Sequence, residues 1–166
     1  SANLELEYAL QYLVERLEEA GIADNTFIVL APDHYPYGFY DEEYAELAGK
    51  EIDVNYEKYK STFICWSPSM KEPVKVDKVC CSIDVLPTVL NLMGYDYDSR
   101  FLIGRDALSN NTQGLAIIGN QSFITDRFAF DAVNNNTIPL VDEEISEDEV
   151  QKKISFVKAM FGLSRT

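Results

Sequence analysis

The sequence predicts an α/β fold, and three observations carry that prediction. Apolar residues fall at helical three-four spacing from Leu6, a short apolar run follows at 26–30, and a strand-turn-strand pattern from Leu115 leads into a capped final helix.

The first helix places Leu6, Ala9, Leu10, Leu13, Val14, Leu17 and Ala20 on one face and ends at Gly21, so that face is expected to pack. After Asp24-Asn25, the run Thr26 to Leu30 is β-branched and apolar on both faces, as a central parallel strand requires. Between Tyr35 and Lys60 the chain is rich in Tyr, Pro, Gly, Glu and Lys. This long connection holds a short helix around Glu42 to Ala48, closed by Gly49. A second strand over 61–66 stops at Ser67-Pro68. Ser82 to Gly94 reads as a helix with Ser82 or Asp84 as cap, Pro87 in its opening turn and Leu86, Val89, Leu90 and Met93 as its buried stripe.

The segments Leu115-Ala116-Ile117-Ile118, Ser122-Phe123-Ile124-Thr125 and Arg127-Phe128-Ala129-Phe130 form a small antiparallel appendage turning at Gly119-Asn120-Gln121. The last helix opens with the capping box Ser146-Glu147-Asp148-Glu149 and buries Val150, Ile154, Val157 and Phe161. The 166 residues fit a single domain, with 1–110 as its α/β part and 111–166 as hairpin plus helix.

A net charge of −14, from 28 acidic and 14 basic residues, argues against a nucleic-acid partner, because neutralising phosphates requires clustered Lys and Arg. No apolar stretch approaches the roughly 20 residues that cross a bilayer, so any membrane anchor lies outside this chain. Cys65, Cys80 and Cys81 form no C-x-x-C pair and sit in apolar company, which reads as buried strand cysteines. Three Asn-x-Ser/Thr sequons begin at Asn110, Asn120 and Asn135.

Asp33 and His34 are the residues with the strongest chemical content. They leave the strand of residues 26–30 at its carboxyl end, where open α/β sheets bind ligands, and His34 is the only histidine. A carboxylate and a neutral imidazole suit a divalent cation, though an Asp-His pair can equally cap a helix or close a turn. Two groups do not complete a catalytic metal site, so further ligands must be Asp, Glu, a hydroxyl or groups outside the chain. Tyr35, Tyr37 and Phe39 line a possible substrate path or simply pack. Asp84 reads as a helix-start residue, and Arg105-Asp106 as a pair or a chain turn. No Gly-x-Ser-x-Gly, phosphate-binding loop or dinucleotide-binding turn is present.

The motifs Asp24-Asn25-Thr26, Pro32-Asp33-His34-Tyr35-Pro36-Tyr37-Gly38, Ile83-Asp84-Val85-Leu86-Pro87-Thr88, Leu92-Met93-Gly94 and Gly119-Asn120-Gln121-Ser122-Phe123-Ile124-Thr125 occur in an order that resembles one family. It is the C-terminal part of the sulfatase-like branch of the alkaline phosphatase superfamily, most closely the lipoteichoic acid synthases and related membrane phosphoglycerol transferases. The resemblance covers most of the chain. It implies an alkaline-phosphatase-like sheet flanked by helices, as a piece of a larger catalytic domain.

The same resemblance implies that Asp33 and His34 are two ligands of Mn2+ or Mg2+. An upstream acid and a threonine nucleophile should precede Ser1, so this piece alone is expected to be catalytically silent. Its implied partners are the remainder of the catalytic domain, a membrane anchor and an anionic lipid or cell-envelope polymer. The implied location is the extracytoplasmic face of a bacterial membrane. A sulfatase-type ester hydrolase, or a non-catalytic binding domain derived from the same fold, is the alternative.

Overall fold

The computed structural model describes residues 2–53, 55–110 and 112–163. They fall into two compact units, Ser1–Val74 and Lys75–Thr166. The sequon residue Asn111 lies outside the described residues.

In the first unit, helix α1 spans Ala2–Glu19. It closes in a Schellman turn in which Gly21, at φ 69°, donates to Glu18 O and Ile22 donates to Leu17 O. Its expected packing face is only partly covered: Leu10, Val14 and Leu17 are half-buried, whereas Leu6 and Leu13 are exposed. The apolar spacing fixes which residues share a face but does not specify how much of it meets a partner.

Strand β1 (Ile28–Leu30) pairs antiparallel with β2 (Ile64–Trp66), matching Ile28 to Trp66 and Leu30 to Ile64. This corrects the expectation of a central parallel strand. An apolar run records burial, not the direction of its neighbour, and within the described residues β2 is the neighbour β1 has. The strand also starts two residues later than expected, because Thr26 is occupied elsewhere. Its N–H donates to Ala23 O and its hydroxyl to Ile22 O.

Helix α2 (Asp41–Ala48) carries Asp41, Glu42 and Glu43 in its first turn, where the helix dipole favours anions. The Glu43 carboxylate accepts from the Tyr40 N–H at 2.7 Å, and Gly49 at φ 66° ends the helix.

The second unit holds helix α3 (Val85–Leu92), a four-stranded antiparallel sheet and helix α4 (Glu147–Leu163). The sheet runs β3 (Leu115–Ile117), β4 (Phe123–Thr125), β5 (Phe128–Asp131) and β6 (Asn136–Pro139), each beside the next. Phe123, Phe128 and Phe130 from the sheet pack with Leu115 and with Val150, Ile154 and Val157 of α4. The Ser146 hydroxyl caps α4 by accepting from the Glu149 N–H at 3.2 Å, while the Glu149 carboxylate accepts from Arg127 Nε at 3.1 Å.

Strand β6 is absent from the sequence expectation. Its Asn136-Thr137-Ile138-Pro139 lacks the apolar alternation of a half-buried strand, and it forms because Asp131 turns the chain back. That carboxylate accepts from the N–H groups of Val133 and Asn134 and from Asn134 Nδ2.

The stripe expected on α3 is also corrected. Leu86 and Met93 are 53% and 51% exposed, and the buried positions are Pro87 and Thr88. Thr88 turns inward because its hydroxyl donates to Asp84 O at 2.6 Å and accepts from the Ala107 N–H at 2.9 Å. Gly104 has no room for a side chain, since a Cβ there would stand 1.8 Å from Ile83 O.

The units divide at Val74 and Lys75, and in the second unit the connection before α3 is bonded to the margin of the sheet. Lys78 Nζ donates to Ser109 O and Thr112 Oγ1, the Leu115 N–H donates to Val79 O, and the Asp126 carboxylate accepts from the N–H groups of Val79 and Gly114. Along the outer edge of β3 the Cys81 thiol accepts from the Ile117 N–H at 3.5 Å and donates to Ile117 O at 3.7 Å.

Candidate metal centre

Asp33 and His34 lie in the first unit, in the loop that leaves β1 at Leu30. The Asp33 Oδ1 and His34 Nε2 atoms stand 3.5 Å apart, with 88% and 43% of the respective side chains exposed. They therefore face solvent together. On the other side of the imidazole, Nδ1 lies 2.7 Å from Tyr35 O. A carbonyl oxygen only accepts, so Nδ1 carries the proton and Nε2 of the neutral ring keeps a lone pair beside the carboxylate. That tautomer is the one an Nε2 metal ligand needs.

An aromatic group surrounds the pair. The Tyr37 ring stacks on the His34 imidazole at 4.1 Å between centroids and 12° between planes. Tyr35 meets Tyr37 edge-on at 5.0 Å and Tyr59 edge-on at 5.1 Å, and Lys58 Nζ lies 5.6 Å and 5.2 Å from the Tyr35 and Tyr59 ring centres. The Tyr44 hydroxyl donates to Pro36 O, tying α2 to the same loop.

Sequence reasoning does not single out Lys58, Tyr59 or Tyr44. The recurrence of tyrosine at positions 35, 37, 40, 44, 56 and 59 is the signal that could have found Tyr44 and Tyr59.

The donor chemistry of Asp33 and His34, one carboxylate oxygen and one imidazole nitrogen, fits a divalent cation of borderline hardness. Among the described residues no cluster of three or more His, Cys, Asp or Glu side chains could hold a metal, so Asp33 and His34 do not by themselves form a closed site there.

Asp84, Arg105 and Asp106 sit in the second unit and perform structural work there. The Asp84 carboxylate accepts from the N–H groups of Cys81 and Arg105, at 2.8 and 2.7 Å. Asp106 accepts from Asn91 Nδ2 and the Leu108 N–H, while Arg105 Nη1 donates to Gln113 O. The expectation of buried strand cysteines is corrected. All three thiols are free; Cys65 is half-buried in β2, Cys80 is exposed and Cys81 half-buried in the connection before α3. Partial burial raises the Cys65 thiol pKa; at Cys80, exposed as a residue but with its thiol partly desolvated, that desolvation and then the Asp84 charge also raise it, so neither is an activated nucleophile.

The family model for sulfatases matches residues 1–95, the segment that contains Asp33 and His34. The chain belongs to the sulfatase family. The order of motifs points to the same assignment.

Among curated relatives, this sulfatase-family chain is 27% identical over 147 residues to the lipoteichoic acid synthase-like protein YvgJ of Bacillus subtilis, covering 85% of the chain and 24% of that relative. It is 26% identical to the lipoteichoic acid synthase of Staphylococcus saprophyticus, covering 92% of the chain and 23% of the relative. The chain thus spans about a quarter of the length of these relatives. A solved protein of the alkaline phosphatase superfamily from Vibrio parahaemolyticus superimposes with a TM-score of 0.61 at 17% identity, over 95% of this chain and 40% of that one. The α/β alkaline-phosphatase-like fold is therefore that of this chain.

Proposed function

We propose that this chain is the C-terminal portion of a metal-dependent, membrane-anchored phosphoglycerol transferase of the lipoteichoic acid synthase type, acting on an anionic lipid or cell-envelope polymer outside the bacterial cytoplasm. The observation that carries this reading is the solvent-facing Asp33 and His34 pair, 3.5 Å apart at the end of β1, with the imidazole tautomer set by Tyr35 O.

In the complete enzyme Asp33 and His34 hold Mn2+ or Mg2+. A bound divalent cation lowers the pKa of a nucleophilic hydroxyl and offsets negative charge on the phosphoryl group. The chain's own contribution is to present the Asp33 carboxylate and the His34 Nε2 lone pair toward one point. Tyr35 and Tyr37 stand beside that point and line the approach of the substrate. The nucleophile, a threonine in the family this chain resembles, and the remaining ligands come from sequence outside these 166 residues, so the piece alone does not turn over substrate. Among the described residues no helix is long and apolar enough to cross a membrane.

Replacing Asp33 or His34 by alanine in the complete enzyme tests the proposal. The expected result is loss of metal-dependent phosphoglycerol transfer with unchanged circular dichroism. Retained transfer in either variant overturns it.

A further inference from the structure

We infer that Tyr37 is a positioning residue for His34, fixing the plane of the imidazole so that Nε2 and Asp33 meet a divalent cation together. This rests on the reading of Asp33 and His34 as metal ligands. Two contacts restrain the His34 ring, and they do different work. The bond from Nδ1 to Tyr35 O selects which edge of the ring faces the backbone. It leaves rotation about the Nδ1···O axis largely free, and the stacked Tyr37 ring, 12° from parallel at 4.1 Å, removes that freedom.

Tyr37 is itself held. Tyr35 abuts it edge-on at 5.0 Å, and Tyr35 is in turn braced by Tyr59. The same residue, Tyr35, therefore supplies the carbonyl that sets the tautomer and the ring that backs the stacking partner. Tyr37 remains 68% exposed, so its place over the imidazole does not follow from burial in a core. The contact is made by the ring and not by the hydroxyl, which has no hydrogen bond among the described residues.

His34 is the only histidine in the chain, so its ring signals in a 15N- and 1H-detected NMR spectrum need no assignment. The experiment compares the unaltered chain with Tyr37→Phe and Tyr37→Leu, without metal and then titrated with Mn2+ alone. The inference expects upfield-shifted ring protons and a protonated Nδ1 in the unaltered chain and in Tyr37→Phe. In Tyr37→Leu it expects loss of the upfield shift, mixed tautomers, and a roughly two- to tenfold higher Mn2+ concentration to broaden the His34 signals. Unchanged tautomer and Mn2+ response in Tyr37→Leu overturn the inference while leaving the metal reading in place. Failure of Mn2+ to broaden His34 selectively in the unaltered chain overturns the inference, while the metal reading itself stands or falls with the Asp33→Ala and His34→Ala variants of the complete enzyme.

Discussion

The Asp84 carboxylate reaches across 21 residues of sequence to accept the Arg105 backbone N–H at 2.7 Å, while its second oxygen holds the Cys81 N–H at 2.8 Å. One side chain thus ties the segment before α3 to the segment after it. Asp84→Ala leaves both amides without their charged acceptor and is expected to lower unfolding stability by about 2–4 kcal/mol. Urea denaturation followed by circular dichroism checks this, and a change within about 0.5 kcal/mol would show the carboxylate to be dispensable.

Thr88 repeats the device inside the unit. It is 2% exposed, and its oxygen is the acceptor for the Ala107 N–H. Thr88→Val keeps the shape and removes the acceptor, with an expected loss of about 1–3 kcal/mol. Thr88→Ser keeps the hydroxyl and should recover most of that loss; equal destabilisation by Val and Ser would instead assign the effect to packing.

Phe123 is fully buried, with its ring 5.4 Å from Phe130 and 5.9 Å from Phe128. Phe123→Ala opens a cavity between the sheet and α4 and is expected to cost about 3–5 kcal/mol. A thermal midpoint unchanged from the unaltered chain would contradict this placement of the core.

Asp131 gives the turn into β6 a pH dependence. The hydrogen bond from the Asn134 side chain is the largest influence on its carboxyl; burial, second in size, opposes it, and with the smaller contributions of the Val133 and Asn134 amides the net effect holds the carboxyl below the usual carboxylate range. A depressed folded-state pKa means that the contribution is fully present above the unfolded value of about 3.9 and disappears as pH falls through the folded one. The stability curves of the unaltered chain and Asp131→Asn are therefore expected to lie apart near neutral pH and converge in acid. Curves that stay parallel down to about pH 2 would show that ionisation of this carboxylate adds nothing to stability.

Much of the fold is legible in the sequence because the signals are local. Gly21, Gly49 and Gly94 each stop a helix at positive φ, Ser146 caps α4, and the phenylalanines of 123–130 mark the core. What escapes is decided by groups distant along the chain. Thr88 turns inward because Ala107 needs an acceptor, β6 forms because Asp131 redirects the backbone, and β1 is antiparallel because β2 is what it meets. The candidate site divides in the same way. Adjacent Asp33 and His34 can be read from their place at a strand end, whereas the stacking of Tyr37 and the approach of Lys58 and Tyr59 depend on how a long connection folds back.

The four-stranded sheet has blunted margins. Beside β3 the Val79 carbonyl and the Cys81 thiol occupy the groups that another strand would use, and β6 is a four-residue strand ending in Pro139, which has no N–H to offer. A phenylalanine-rich sheet of this kind is thereby protected from recruiting copies of itself into fibrils. That protection hangs partly on one sulfur atom: Cys81→Ala would leave the Ile117 amide without its acceptor and open that part of the margin.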